Sequence, residues 1–299
     1  MEQIQHRVII NSLDIMFDLQ LIVNGITVGS ILALAAIGLT LTYGILNLSN
    51  FAHGDFMTLG AYLTWLGNTS GLNIWLAMVL GAVGTIIAML VAEYLLWKPM
   101  REVRASDTTL IIISIGLALF IRNGILLIYG GSNQLYDLPV VPALEFGDLR
   151  IAYYRLIVVG LAIAAIIALH LILQNTKIGK AMRAVADNIE LARVSGINVE
   201  RVVLWTWVIT GTLTAFAGGM YGLIAAVRPF MGWFLILPMF ASVILGGIGN
   251  PYGAIVGAFI IGIAQEVTVP WLGSEYKLGV ALAIMIVILL VRPQGLFKG

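Results

Sequence analysis

The chain has 299 residues, of which 60% are hydrophobic and only 10% charged, and its formal net charge is +1. Soluble domains carry about 25% charged residues, so a mean hydropathy of +1.01 excludes an ordinary soluble enzyme and indicates an all-α polytopic membrane protein. The near-neutral charge gives no support for nucleic-acid binding, and the absence of cysteine removes disulfide and thiol chemistry.

At about 20 apolar residues per helical span, the length accommodates roughly eight to ten spans. Residues 1–20 read as an N-terminal tail rather than a signal peptide, because Arg7 stands among Glu2, Asp14 and Asp18. Ile22–Tyr43 is a first span whose Gly25, Gly29 and Ala33 form a small-residue face for close helix packing. Leu46–Trp65 is apolar but interrupted by Asn47, Asn50, His53, Gly54 and Asp55. Ile74–Trp97 is a third span. The basic cluster Lys98–Arg104 that follows it is cytoplasmic by the positive-inside rule, with Glu93 interfacial. A fourth span, about Thr109–Tyr129, carries Arg122, which either snorkels outward or lines a pathway. Gly130–Arg150, with Asp137, Glu145 and Asp148, reads as an external loop, and Tyr154–Leu173 returns to the cytoplasm with His170 as a neutral interfacial residue.

The stretch Asn175–Arg201 is the longest polar segment of the chain. Its apolar residues Ile178, Met182, Val185 and Ile189 recur at helical spacing, with Lys180, Arg183, Asp187 and Glu190 on the opposite face. Gly196 suits a helix stop and Asn198 a cap for the next helix. The spacing predicts a short amphipathic helix on the basic side, either a plain solvated loop or a docking handle for a cytoplasmic protein. Beyond it, Val202–Val227 is a charge-free span with Gly211, Ala215 and Gly219 on one face. Gly232–Gln265 is also charge-free. It is broken at Pro238 and at Gly246–Gly253, and reads as two spans joined by a turn near Asn250-Pro251. Glu266 and Glu275 flank an external turn, and the last span, Leu278–Val291, ends at Arg292 and Lys298 on the cytoplasmic side. The total is nine spans with the N-terminus outside. Eight spans with Leu46–Trp65 as a re-entrant half-span fit nearly as well.

No G-x-x-x-x-G-K-[ST] phosphate loop, metal-ligand cluster or nucleophile elbow occurs, so the chain is read as a non-enzymatic subunit with no cofactor or metal of its own. Active transport would then draw energy from a partner or from an ion gradient. Asn50, His53 and Asp55 have two readings: a broken helix offering polar contacts to a substrate, or a membrane surface where Asp55 caps a helix.

Gly44–Tyr62, with its core Asn50-Phe51-Ala52-His53-Gly54, resembles the signature of LivH-type permeases, membrane subunits of branched-chain and neutral amino acid ABC importers. The loop residues Gly179, Arg183-Ala184, Ala186, Asp187-Asn188, Ala192 and Gly196-Ile197 resemble that family's coupling loop, and Val243–Ala258 is similar to its third recurrent stretch. The resemblance covers residues 21–299 and leaves the tail unexplained. It implies a permease half-pore in a bacterial inner membrane, paired with a related second permease, two cytoplasmic ATP-binding subunits that use the ATP, and a periplasmic binding protein. It places Lys180, Met182, Arg183, Ala184, Asp187, Asn188 and Gly196 in ATPase coupling, with Ile178, Met182, Val185 and Ile189 filling an ATPase groove, and Asn50, His53 and Asp55 on a substrate path. A urea or short-chain amide importer is the alternative within the class. A stand-alone ion-coupled transporter or channel is the alternative outside it.

Overall fold

The computed structural model describes residues 2–147 and 149–297, residues 2–18 and 146 by their backbone alone. Expectations resting on Asp148, on Lys298 and on the side chains of Glu2, Asp14 and Asp18 lie outside the described residues and side chains. The helices in chain order are α1 (Glu2–Leu46), α2 (His53–Thr69), α3 (Ile74–Ala92), a π turn (Glu93–Trp97), α4 (Lys98–Glu102), α5 (Asp107–Tyr129), α6 (Tyr153–Asn175), α7 (Lys177–Asp187) and α8 (Ile189–Val194). They continue as α9 (Val199–Ile224), α10 (Met231–Gly246), α11 (Pro251–Val267), α12 (Val269–Leu272) and α13 (Lys277–Val291). A two-stranded antiparallel hairpin, β1 (Leu144–Phe146) and β2 (Leu149–Ile151), decorates the loop between α5 and α6.

Among the described residues, six helices are long and apolar enough to cross a membrane: Leu19–Leu46, Ile74–Glu102, Asp107–Tyr129, Tyr153–Asn175, Val199–Ile224 and Ser274–Val291. The shorter α2, α10 and α11 have 17, 16 and 17 residues. At 1.5 Å per residue these reach only about 25 Å, less than the roughly 30 Å hydrocarbon core. The break expected at Pro238 does not occur. Proline removes one N–H from the ladder, but α10 continues through it, and Ser242 Oγ donates to the Pro238 carbonyl at 2.7 Å.

The helices share two ends. Lys98, Arg101, the α7–α8 loop, the 247–250 turn and the C-terminal residues gather at one of them, where Leu296 N donates to Leu245 O and Phe297 N to Gly246 O. The opposite end holds the α5–α6 loop and the start of the first span, where Arg150 N donates to Gln20 Oε1. Most of the basic side chains thus lie together, as the positive-inside reading requires.

α1 and α9 form the core of the bundle, while α5, α6 and α13 are mostly exposed and apolar, the pattern of lipid-facing helices. Small residues set the approach of the central helices. A Cβ on Gly25 would lie 2.5 Å from the Ile263 Cα, and one on Gly262 would lie 2.5 Å from Gly29 N, so α1 and α11 touch backbone to backbone. Gly218 meets the Met57 carbonyl of α2 in the same way, and Gly257 meets that of Ser242 in α10. Replacing Gly262 by alanine therefore overpacks a fixed contact. The expected loss is about 1–3 kcal/mol, read as a lower unfolding midpoint in detergent, whereas Gly116→Ala, with open space around it, leaves the midpoint unchanged.

Candidate functional site

Two regions hold the residues that the sequence singles out. The first is the break between α1 and α2. Asn47 adopts a left-handed conformation (φ 51°), which asparagine tolerates better than most residues, and helical backbone stops until His53. His53 Nε2 lies 2.8 Å from the Ala35 carbonyl. Ala35 is 11 residues (46 − 35) before the end of α1, about 16 Å along its axis. Residues 47–52 therefore climb back beside α1, and α2 starts deep in the bundle. Among the described residues, six helices long enough to cross and the shorter α2, α10 and α11 make up the bundle, and α2, entered halfway, matches the re-entrant reading of Leu46–Trp65.

Backbone groups in this climb find partners inside the protein. Phe51 N donates to Ser114 Oγ at 3.1 Å, Ala52 N to Asn50 Oδ1 at 3.1 Å, and His53 N to Asn50 O at 3.2 Å. Thr214 Oγ1 sits 3.2 Å from His53 Nε2 but already donates to the Thr210 carbonyl at 2.7 Å. A hydroxyl has one proton, so Nε2 carries the imidazole hydrogen and shares it between Ala35 O and Thr214 Oγ1. His53 Nδ1 and Asn50 Nδ2 are buried without a hydrogen-bond partner in the protein.

Asp55 neither caps α2 nor lies at a surface. The N-cap, Ala52, makes no side-chain cap bond, and Asp55 accepts two hydrogen bonds from Arg122 of α5: Nε to Oδ1 at 2.9 Å and Nη2 to Oδ2 at 2.8 Å. The two side chains are 2% and 7% exposed, so Arg122 neither snorkels nor lines an open pathway. Its guanidinium also lies 4.8 Å from the Trp233 ring centroid and 6.0 Å from that of Phe230, a cation–π contact that offsets part of the desolvation. Gly54 makes the packing possible, since a Cβ there would lie 2.3 Å from the Gly232 carbonyl.

The structure brings Asn50, His53 and Asp55 together but seals them. A cavity of about 750 Å³ at the end opposite the basic cluster is lined by residues such as Asn68, Trp75, Asp137 and Tyr153. A second, of about 100 Å³ at the basic end, is lined by residues such as Leu41, Met182, Arg183 and Tyr252. Neither reaches the three polar residues.

The second region is the 175–201 loop, which forms two helices where one was expected. Thr176 Oγ1 caps α7 through Gly179 N at 3.0 Å. A Cβ on Gly179 would meet the Ile172 carbonyl at 2.3 Å, so α7 folds tightly onto α6. Asn188, extended at φ −159°, ends α7 and caps α8 through Leu191 N at 2.9 Å. Gly196 takes φ +83° beyond α8, and Asn198 caps α9 through Arg201 N, both at the positions the sequence indicates.

The expected apolar docking face is corrected here. Met182 and Val185 are 1% and 3% exposed and Ile178 is partly buried, all packed against the chain's own core, because α7 turns its apolar stripe inward. Of the four, Ile189 alone is exposed, joined by Leu191 (63% exposed) and Val194 (80%) on α8. Lys180, Asp187 and Asn188 face outward and Ala184 is half-buried. Arg183 is exposed but held by its own chain, donating from Nη1 to Gln174 Oε1 at 2.6 Å. Sequence reasoning missed Arg122 as the partner of Asp55, since 67 residues separate them. It also passed over Leu191 and Val194, which lie off the stripe.

A family model described as "branched-chain amino acid transport system / permease component" matches residues 21–289. The high-affinity branched-chain amino acid transport system permease protein LivH of Escherichia coli (strain K12) is 33% identical over 300 residues, covering 94% of this chain and 96% of the relative. LivM, a permease protein of the same named system in that organism, is 24% identical over 302 residues, covering 90% of this chain and 68% of the relative. Among solved structures, PsaBC from Streptococcus pneumoniae in complex with Fab shares the fold, with a TM-score of 0.51 at 11% identity, covering 91% of each chain.

The buried pair separates packing from charge. Removing one partner leaves an uncompensated charge, so Arg122→Leu is expected to cost about 3–5 kcal/mol, while Asp55→Leu combined with Arg122→Leu recovers most of that loss. Unfolding midpoints of the two variants in detergent check this.

Proposed function

The chain belongs to the permease components of branched-chain amino acid transport systems, and from that premise we propose that it is one half of the pore of an ATP-driven importer. It pairs with a related but different permease, as LivH and LivM are named for one system. It resides in a bacterial inner membrane with its basic end in the cytoplasm. Two ATP-binding subunits dock there and use the ATP, since the sequence holds no phosphate loop. A periplasmic binding protein delivers branched-chain or other neutral amino acids to the opposite end.

The observation that carries the reading is the α7–α8 loop. A buried stripe anchors α7 to the bundle, and α8 presents Leu191 and Val194 at the basic end. Lys177, Lys180 and Arg193 around them keep the loop out of hydrocarbon, so a protein surface is the partner that suits these apolar side chains. Lys180, Asp187 and Asn188 frame that surface, while Met182, Ala184 and Gly196 hold its shape. ATP-dependent closure of the ATPases would displace α7–α8 and bias the pore between outward- and inward-facing states. The break at Asn47–His53 is the proposed substrate path. Asn50 Nδ2 and His53 Nδ1, unpartnered while sealed, are the groups that would meet a polar solute or water as the helices part.

A stand-alone ion-coupled carrier fits less well. The buried carboxylates among the described residues, Asp55, Glu93 and Glu266, are ion-paired with Arg122, Arg101 and Lys277, which leaves none free to bind and release a coupling proton.

Leu191→Asp with Val194→Asp tests the docking surface. Both side chains are exposed, so membrane insertion is unaffected, and recovery of the ATP-binding subunits with the chain is expected to fall about tenfold or more. Unchanged recovery would remove α8 from the interface.

A further inference from the structure

Glu93–Trp97 is a π turn within an otherwise continuous helix, Ile74–Glu102. Lys98 N donates to the Glu93 carbonyl five residues back. The cause is local: Pro99 has no N–H to give the Leu95 carbonyl, and the ladder opens by one residue just before it. Glu93 and Arg101 are eight residues apart (101 − 93), and in an unbroken α-helix they would point about 80° apart. The extra residue of the π turn brings them to within about 20° of one face. There Arg101 Nη1 donates to Glu93 Oε2 at 3.1 Å and Nη2 engages Oε1.

The same carboxylate reaches across to α9. Trp207 Nε1, on a fully buried indole, donates to Glu93 Oε2 at 2.8 Å. Closer to the loop, Lys98 Nζ lies 3.4 Å from Glu200 Oε1, an exposed pair of little weight on its own. α9 therefore leaves the α7–α8 loop and is clasped to the α3–α4 helix at two heights. Further along the same helix, Thr210 Oγ1 donates to the Gly38 carbonyl at 3.4 Å, and Thr214 accepts from His53. A nearly buried glutamate is costly compared with apolar packing of the same shape, so stability alone gives no reason to keep one here.

We infer that Glu93 is a positioning residue for coupling, clasping α9 to α3–α4 so that displacement of the α7–α8 loop moves them as one body against the break at Asn47–His53. This rests on the reading of the chain as the permease of an ATP-driven importer. The test uses the assembled transporter in proteoliposomes, with leucine uptake and ATP hydrolysis measured on the same vesicles. Glu93→Gln removes the charge, and Trp207→Phe removes the indole N–H while keeping an aromatic ring. Each is expected to lower uptake per ATP hydrolysed about fivefold or more, and the double variant to lose no more than the worse single one. That ratio distinguishes positioning from folding, because a smaller folded fraction lowers uptake and hydrolysis together. An unchanged ratio in both variants, or losses that multiply in the double variant, overturns the inference; if Glu93→Gln fails to assemble, Trp207→Phe decides alone. Wild-type uptake that needs no ATP would instead overturn the importer reading, and this inference with it.

Discussion

Hydrocarbon offers no hydrogen bonds, so backbone that leaves the helix at membrane depth has to be satisfied by protein around it. The interruption between Leu46 and His53 imposes that constraint on the whole bundle. Ser114 of α5 takes the Phe51 N–H, Asn50 folds onto its own backbone, and α1 and α9 supply Ala35 and Thr214 for His53. Helices α1, α5 and α9 thus meet one short segment. The glycines at the crossings let the backbones come close enough to enclose it, Gly54 against Gly232 and Gly38 against His53 being the tightest cases at the break itself.

Charge is handled the same way. Asp55 and Arg122 would each be costly alone in the membrane, yet together they join α2 to α5 through two parallel hydrogen bonds, with Trp233 and Phe230 beside the guanidinium. Among the described residues, the other buried carboxylates, Glu93 and Glu266, also hold a cation each. Pairing of this kind makes the polar interior a set of fixed joints. On the proposed function, motion falls to rigid bodies, with the loop at the basic end as the place where the ATP-binding subunits act on them.

Much of this is legible in the sequence, for identifiable reasons. Charge-free runs bounded by Lys, Arg and Glu mark the spans, because each helix has to meet the length of the hydrocarbon core. Gly196 and Asn198 announce helix ends through local capping chemistry, while Asn188 stands inside a stretch whose spacing predicts a single helix. Three features resisted. The partner of Asp55 is set by tertiary packing between residues 55 and 122, which no local pattern records. The inward turn of Met182 and Val185 was missed because an amphipathic stripe states that a face is apolar and not what covers it. Pro238 signalled a break that α10 does not make, whereas Pro99 follows a π turn that nothing in the spacing foretold.

On the proposed function, this permease moves its solute by energy delivered at the basic end from ATP-binding subunits. The most direct measurement is uptake of labelled leucine into proteoliposomes containing the chain with the subunits that co-purify with it, with binding protein and leucine outside and ATP supplied only inside. Uptake against a gradient that requires lumenal ATP, stops with vanadate and persists after ion gradients are collapsed is the predicted result. Uptake by the chain alone, driven by a proton or sodium gradient and indifferent to ATP, would contradict it.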